Sequence, residues 1–571
     1  MGDVSLTLKF LNTLYKAYTG EQESLPVYHG NDVSEFIPAR ISQDFVFDKK
    51  PSINIEALDQ LVNSLFIDSE TSLSGLAILY EGKLVKEYYA KPYSNKFRHV
   101  SYSLSKTIVA LGVGIAVEKK LISLDTKLYS IFPENNRIFI KKALKQVTIK
   151  HLLTMTAGVN FDEASSYFAY DWRRAYMSSE TKFNPGEEFY YNSLNTYMLV
   201  ATITKLSGMS FMEFINKYLL EPMNITDITF DKCPMGIERG GWGMKLSLID
   251  MLKIGQLILC KGKWSCNGKT KQLVSSDWIN DMLSCQVRIN DKSLIAGYGF
   301  SIWLLNDGSY LANGVFGQNI YINPNRDMVI ATIGSAHELF PDGITVDKLC
   351  RFTREDDNFR YEKAKIQANH LLNPIRNIFK CRYENLRYIK EKLNVYLGNE
   401  YRFLEYASSI LPLSSQIVYS NYLTGIEVLS INLIDDEFVL KVKDSNVDFI
   451  IKMGYSRSKP YIYQVITING KQMPIAVSGK ILYDEDGKLL LKIHIVYLEE
   501  VADRIIKLYF MEDKIRLKAY ETPDLIRFMN KFIGDDMFNK AKRLKDMMSP
   551  DYLDYKVKKI LRPDVIGYID N

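Results

Sequence analysis

Residues 98–118 read Arg-His-Val-Ser-Tyr-Ser-Leu-Ser-Lys-Thr-Ile-Val-Ala-Leu-Gly-Val-Gly-Ile-Ala-Val-Glu. The apolar run predicts a buried helix, with Ser103 and Lys106 at its N-terminal end. Residues three apart on a helix share a face, so the Lys106 ammonium can reach the Ser103 hydroxyl, and the free amides of a helix start can polarise a carbonyl group. An N-cap serine beside a solvated lysine has the same spacing. The choice between a nucleophile and a cap therefore depends on the rest of the chain.

The composition is that of a globular protein of several domains. The chain has 571 residues, and roughly 150 residues per domain predicts about two to four units. Its 72 basic and 67 acidic residues give a net charge of +5 and are scattered, so no nucleic-acid partner is predicted. The longest apolar run, Ile108–Val117, is far short of the ~20 residues that span a bilayer, and the N-terminus lacks signal-peptide features. We expect a cytoplasmic protein without a membrane span.

Neither a metal site nor another nucleophile scheme is visible in the sequence. The six cysteines form no Cys-x-x-Cys pair and no histidine lies at zinc-ligand spacing, so they are interpreted as reduced thiols. There is no Gly-x-Ser-x-Gly elbow and no phosphate loop. None of the six histidines can be assigned as a triad base, and His151 is expected to be structural. We therefore predict no metal and no cofactor.

The pattern of elements in the first part of the chain is strands, then helices, then strands. Residues 75–80 and 84–89 alternate around a turn glycine and predict a β-hairpin. Residues 120–285 show helical periodicity, for example in 196–206 and 246–259. Strand character returns in residues 298–305, 319–322 and 328–333. The economical fold is an α/β (α+β) domain, in which an antiparallel sheet built from both ends encloses a helical insertion.

The C-terminal part is β-rich. Alternating segments between residues 415 and 525 predict an antiparallel sheet or small barrel, and residues after 525 return to a helical pattern. The predicted organisation is an N-terminal arm (1–45), a first domain (46–352), a helical linker (353–390), a β-rich domain (391–525) and a helical tail (526–571).

Further segments connect the Ser103 motif to a known family. They are Lys119–Asp125, Val147–Gly158, Pro185–Ser193, Gly240–Asp250 and Gly314–Pro324. In this order and at this spacing, the chain resembles the serine β-lactamase and penicillin-binding-protein superfamily over roughly residues 70–340. The similarity is to its class C β-lactamase-like esterase and amidase branch, which includes 6-aminohexanoate-oligomer hydrolases. The resemblance implies that Ser103 is a nucleophile.

The resemblance also assigns roles to other residues. Tyr191 in Tyr-Asn-Ser corresponds to the family's Tyr-x-Ser motif and is the implied proton shuttle, with Lys106 stabilising its phenolate form. The third motif falls on Ala312-Asn-Gly-Val315, which implies an oxyanion hole made by the backbone amides of Ser103 and Val315. The substrate-pocket candidates are Tyr102, Ser193, Gly314 and Phe316.

The implied function is hydrolysis of an amide or ester bond through an acyl-enzyme on Ser103. The family's third motif normally begins with a basic residue that binds a substrate carboxylate, whereas this chain has Ala312, or Asn313 if the register shifts by one. The Tyr-Asn-Ser form and the Gly-x-x-Gly-Gln ending of the third motif resemble the esterase and 6-aminohexanoate-oligomer hydrolase members, which favours small amides or esters over cell-wall peptides. Two alternatives stay open: a D-Ala-D-Ala carboxypeptidase or β-lactamase, and a non-catalytic penicillin-recognising interaction protein.

The β-rich domain holds no recognisable nucleophile, metal site or phosphate loop. We expect it to shape the substrate pocket or to form a homo-oligomer contact, and a simple stabilising appendage is an equally good interpretation. The expected partner of the first domain is a small amide, ester or peptide-like molecule.

Overall fold

The computed structural model describes residues 45–570 with gaps at 68–70, 134–142, 267, 290–293, 337, 339, 356–357, 361–390, 392, 406–407, 414, 417–422, 424, 435–436, 446, 456–458, 469, 485–486 and 523–561. The described residues separate into two compact units, one between 45 and 360 and the other between 391 and 570. The predicted N-terminal arm lies outside the described residues up to 44, as do most of the predicted linker and most of the predicted helical tail.

The first unit contains eleven α-helices and thirteen strands among the described residues. The helices are α1 Ile55–Phe66, α2 Ser105–Glu118, α3 Leu128–Ile131, α4 Ile149–Leu153, α5 Glu163–Ser166, α6 Trp172–Ser178, α7 Ser193–Ser207, α8 Phe211–Ile215, α9 Leu248–Leu259, α10 Ser276–Leu283 and α11 Ile344–Glu355. The strands are β1 Leu73–Tyr80, β2 Lys83–Tyr89, β3 His99–Val100, β4 Thr229–Phe230, β5 Met244–Leu246, β6 Lys263–Cys266, β7 Lys269–Gln272, β8 Val287–Arg288, β9 Ile295–Tyr298, β10 Trp303–Leu305, β11 Tyr310–Gly314, β12 Gln318–Asn323 and β13 Met328–Gly334.

The main sheet of this unit joins both ends of the segment, as predicted. Within the described residues it has eight antiparallel strands in the order β2-β1-β13-β12-β11-β10-β9-β8. Helix α2 is buried on every side from Ser105 to Ala116, because apolar and small residues occupy its whole circumference. The helices between β3 and β8 form the predicted insertion. The predicted mixed fold, an antiparallel sheet with a helical insertion, is therefore confirmed.

The strand predicted over residues 298–305 is two strands in the structure. The chain turns between β9 and β10, where the Gly299 amide donates to the Ile302 carbonyl at 2.9 Å and Ser301 has a φ of +54°. Phe300 and Ile302 point into the core, so the turn is as apolar as a strand. A buried turn of this composition has no sequence signal that separates it from the strands it joins.

The second unit is the predicted β-rich domain. Its described residues form a ten-stranded antiparallel sheet in the order β17-β16-β15-β14-β23-β22-β21-β20-β19-β18. The strands are β14 Glu400–Phe403, β15 Ile426–Ile434, β16 Glu437–Asp444, β17 Val447–Met453, β18 Ile462–Ile468, β19 Lys471–Tyr483, β20 Leu489–Tyr497, β21 Asp503–Phe510, β22 Lys514–Thr522 and β23 Asp564–Ile569.

The ten strands curl into a near-barrel around an apolar interior. The Gly454 amide donates to the Val477 carbonyl at 3.0 Å, which joins the chain after β17 to β19. Beside this point, the Gln464 amide side chain donates to the Lys452 carbonyl at 2.8 Å and accepts from the Lys452 amide at 3.2 Å. One glutamine side chain thus bridges the seam between the two edge strands.

Two predicted boundaries differ from the structure. Helix α11 runs through the predicted boundary at 352/353, because Val346, Leu349 and Phe352 continue one buried face of it. The predicted helical tail includes β23, a strand between β14 and β22. Residues Asp564–Ile569 are mostly β-branched or aromatic, and their backbone forms hydrogen bonds with β14 and β22. A prediction from local sequence periodicity does not include these distant partners.

Candidate active site

Ser103 lies in a tight turn that leads into α2. Residues Tyr102–Leu104 form a single 3₁₀ turn, and Tyr102 has a φ of +46°, in the left-handed region. The Ser105 hydroxyl holds the turn by donating to the carbonyls of Tyr102 at 2.9 Å and Gly240 at 2.8 Å. Just before the turn, the Ser101 hydroxyl donates to the Met244 carbonyl at 2.9 Å. The turn leaves the Ser103 side chain half-buried.

Lys106 is buried beside Ser103 with two polar partners. Its Nζ lies 2.8 Å from the Ser103 Oγ and 2.9 Å from the Gly241 carbonyl oxygen, and the residue is 2% exposed. Burial lowers the pKa of Lys106 to about 7, against the opposing attraction of the Glu163 carboxylate. A lysine with this pKa exists in both protonation states near neutral pH, which a general base requires.

Tyr191 lies in the loop before α7, with its ring against Lys106. The Lys106 Nζ is 4.8 Å from the ring centre, and Trp303 stacks on the ring at a centroid distance of 5.6 Å. Burial raises the pKa of Tyr191 above its ordinary value, while a hydrogen bond with Ser103 lowers it and the charge of Glu163 raises it. These effects favour a neutral phenol over the phenolate expected from the sequence.

The amides assigned to the oxyanion hole lie on neighbouring segments. Gly314 at the end of β11 approaches the residue before the Ser103 turn so closely that an added Cβ would be 2.2 Å from the Ser101 carbonyl oxygen. Among the hydrogen bonds of the described residues, neither the Ser103 amide nor the Val315 amide has an acceptor. Both residues are half-buried. Two free amides at adjoining positions can stabilise an oxyanion.

The pocket candidates differ in their placement. Phe316 has a φ of +68° and its amide donates to the Glu338 carbonyl, while its ring meets the Tyr102 ring edge-on at 5.5 Å. This aromatic pair joins the sequence neighbours of Ser103 and Val315. Ser193, in contrast, is 3% exposed, and its amide donates to the Glu163 Oε1 at 3.1 Å. Ser193 is therefore a buried residue that holds Glu163 and is not exposed to a substrate.

Ala312 and Asn313, the first two positions of the third motif, carry no charge. Ala312 is 1% exposed within β11, and the side-chain Nδ2 of Asn313 donates to the Asn319 Oδ1 at 2.7 Å. Neither residue supplies a cation for a substrate carboxylate. His151 is structural, as expected, because its Nδ1 accepts from the Thr148 amide at 3.2 Å in a capping box.

The sequence alone did not identify three partners of the site, which are Gly241, Trp303 and Glu163. Gly241 lies in the family-like segment Gly240–Asp250, but its contact with Lys106 is made by a backbone carbonyl, for which the sequence has no signal. Trp303 lies in a segment interpreted as plain strand, and its stacking on Tyr191 joins two parts of the chain that are distant in sequence. The described residues contain no group of three or more acidic, histidine or cysteine side chains that could hold a metal ion. Cys233, Cys260, Cys285 and Cys350 are free thiols.

Of the described helices, none is by itself long and apolar enough to cross a membrane. The pair Ser193–Ser207 and Phe211–Met223, bent by 77°, meets the criteria of length and composition only when the two are taken together.

Comparison with known proteins places this geometry in a family. Residues 66–344 match the family model "Beta-lactamase". The chain is 23% identical over 297 residues to the 6-aminohexanoate-dimer hydrolase of Paenarthrobacter ureafaciens, which covers 47% of this chain and 73% of that protein. Protein flp of Staphylococcus aureus is 32% identical over 91 residues, 15% of this chain and 18% of flp.

Among solved structures, the octameric penicillin-binding protein homologue of Pyrococcus abyssi aligns with 81% of this chain and 97% of its own, at 16% identity and a TM-score of 0.41. The family-model match covers Ser103, Lys106, Tyr191 and Val315 together. Residues 66–344 therefore belong to the β-lactamase family, within the superfamily of serine β-lactamases and penicillin-binding proteins.

Proposed function

We propose that the protein is a serine hydrolase that cleaves an amide or ester bond through an acyl-enzyme on Ser103. Membership of the β-lactamase family supports a hydrolase in general. The observation that carries the finer proposal is the 2.8 Å approach of the Lys106 Nζ to the Ser103 Oγ, combined with a Lys106 pKa of about 7. Serine is a weak nucleophile without such a base.

In the first half of the reaction, neutral Lys106 takes the proton of the Ser103 hydroxyl as the Oγ attacks the substrate carbonyl. The negative charge that develops on the carbonyl oxygen is stabilised by the amides of Ser103 and Val315. Tyr191 then gives its phenol proton to the departing nitrogen or oxygen, and Lys106 returns a proton to Tyr191. The bond from the carbonyl carbon to the leaving group breaks, and an ester on Ser103 remains.

In the second half, water attacks the Ser103 ester. Neutral Lys106 accepts a proton of that water, directly or relayed through the Tyr191 phenol, while the amides of Ser103 and Val315 again stabilise the oxyanion. Lys106 then gives this proton to the Ser103 Oγ, which leaves as a hydroxyl. The acid is released and the three side chains return to their starting protonation states. No group outside the chain is needed for the balance of protons.

The charge around the third motif favours a substrate without a carboxylate at that position. Ala312 and Asn313 are neutral and are held within the sheet. A relative of this chain is named a 6-aminohexanoate-dimer hydrolase, and the bond cleaved in such a dimer is a linear amide. We propose small linear amides and esters as the substrate class.

A panel of substrates tests this proposal. Hydrolysis rates are measured with a p-nitrophenyl ester, a linear p-nitroanilide, a D-Ala-D-Ala peptide and benzylpenicillin. The ester and the anilide should be turned over, and Ser103→Ala should lose at least about 10³-fold in kcat. Ser123→Ala, an exposed serine, is the matched control and should keep full activity. Turnover of only penicillin or the D-Ala-D-Ala peptide would favour the alternative function, and full activity of Ser103→Ala would refute the proposal.

A further inference from the structure

The carboxylate of Glu163 accepts a hydrogen bond at the start of the helix that follows Tyr191. Glu163 is the first residue of α5, and its Oε1 accepts a hydrogen bond from the Ser193 amide at 3.1 Å. Ser193 is the first residue of the 15-residue helix α7 and is two positions after Tyr191. A carboxylate at a helix N-terminus is favoured by the free amides and by the helix dipole. Glu163 therefore fixes the backbone directly after Tyr191.

Ser193 also supports the partner of Lys106. Gly241 packs on Ser193 so closely that a Cβ added to Gly241 would lie 2.6 Å from the Ser193 Cβ and 2.7 Å from its carbonyl oxygen. The carbonyl of Gly241 is the oxygen that accepts from the Lys106 Nζ at 2.9 Å. One line of contacts thus connects Glu163 through Ser193 and Gly241 to Lys106.

The charge of Glu163 acts on the same two residues. It raises the pKa of Lys106 against the larger effect of burial, and it raises the pKa of Tyr191 in the same direction as burial. Among the described residues, Tyr298 faces Tyr191, and Tyr167 is a further titratable group on which the charges of Glu163, Arg239 and Asp231 act.

We propose that Glu163 is a positioning residue of this hydrolase. Its carboxylate fixes the backbone that holds Tyr191 and the Gly241 carbonyl, which accepts the hydrogen bond of Lys106. Its negative charge sets the pH range in which the site works. The inference rests on the proposed function, since it assigns a role toward Lys106 and Tyr191. Glu163 contacts neither the substrate nor the reacting atoms in this role.

The substitution Glu163→Gln separates charge from geometry. The glutamine oxygen can still accept from the Ser193 amide, whereas the negative charge is gone. Loss of that charge lowers the pKa of Lys106, so the acid limb of the kcat/KM profile should move to lower pH. At a pH on the acid limb, kcat/KM divided by its maximum value should be higher for the variant than for the unmodified chain. A half-unit shift on a limb of unit slope gives a difference of roughly threefold.

The matched control is Glu213→Gln. Glu213 also accepts from a backbone amide at a helix start, that of Ser210 at 2.7 Å, but its charge does not act on Lys106 or Tyr191. The control should leave the profile in place. A Glu163→Gln profile that superimposes on the unmodified one, at an unchanged melting temperature, would overturn the inference.

A second variant covers the case in which Glu163→Gln does not fold. Glu163→Asp keeps the charge and shortens the reach to Ser193, so kcat/KM should fall without a shift of the acid limb. A shift of the acid limb in Glu163→Asp would contradict the role of the charge. Full turnover by Ser103→Ala would defeat the proposed function and this inference together, whereas an unmoved profile with an inactive Ser103→Ala defeats the role of Glu163 alone.

Discussion

The buried lysine predicts an unusual dependence of stability on pH. The pKa of Lys106 falls from an ordinary value of 10.5 to about 7 in the folded protein. Between these two values the unfolded chain binds more protons than the folded chain, so folding becomes more favourable as the pH rises through this window. Below about pH 7 both states carry the charge, and the cost of burying it is fully present. The whole window corresponds to roughly 4–5 kcal/mol, at ~1.36 kcal/mol per pH unit.

The perturbation that tests this is Lys106→Met, which keeps the bulk of the side chain and removes the titrating group. The variant also loses the hydrogen bonds to Ser103 and Gly241, but that loss changes stability by a nearly constant amount at every pH. Between pH 7 and 9 the unmodified chain should gain roughly 2–3 kcal/mol in free energy of unfolding relative to Lys106→Met.

The assay is urea unfolding followed by tryptophan fluorescence at several pH values. All five tryptophans lie in the first unit, so the signal reports on the unit that contains Lys106; they are Trp172, Trp242, Trp264, Trp278 and Trp303. Ser103→Ala keeps the lysine and should follow the unmodified pH dependence. Parallel curves for the unmodified chain and Lys106→Met would refute the idea that Lys106 titrates near neutral pH.

Three other predictions concern catalysis. Gly314→Ala places a Cβ 2.2 Å from the Ser101 carbonyl oxygen, so β11 must move away from the Ser103 turn. Its kcat for a small ester should fall by about 10²-fold, as for loss of an oxyanion donor, and steady-state kinetics showing an unchanged kcat would contradict this. Lys106→Ala and Tyr191→Phe should each cost nearly as much as both together, and a double-mutant loss equal to the product of the single losses would show that the residues act independently. A chain ending after residue 360 should keep small-ester turnover if it folds, whereas a folded but inactive one would mean that the second unit supplies a catalytic group.

Much of the fold follows from local sequence patterns. The hairpin of β1 and β2 was predictable because a turn glycine and a period of two fix strand pairing within one short segment. Helix α2 was predictable from its continuous apolar run. The turn at Gly299–Ile302 was not, because its side chains are buried like those of a strand, and β23 was not, because its partners lie far away in the sequence.

The site shows the same division between local and distant information. Ser103 and Lys106 could be paired from the sequence because a separation of three residues fixes their contact on one turn. The low pKa of Lys106 could not be predicted, since it depends on burial by segments remote in sequence. Glu163 and Gly241 act through a backbone amide and a backbone carbonyl, and such contacts become visible only when the chain is folded.

The central claim is that Ser103 is a nucleophile activated by Lys106, and the most direct test is the rate and position of covalent labelling by a fluorophosphonate. Peptide mapping after intact-mass measurement should find one adduct per chain, on Ser103, and the labelling rate should rise with pH through a single ionisation near 7, the pKa of Lys106. In Lys106→Met that ionisation should disappear and labelling should be slow at every pH. An adduct on another serine, or a rate that rises only near the ordinary pKa of lysine, would contradict the claim.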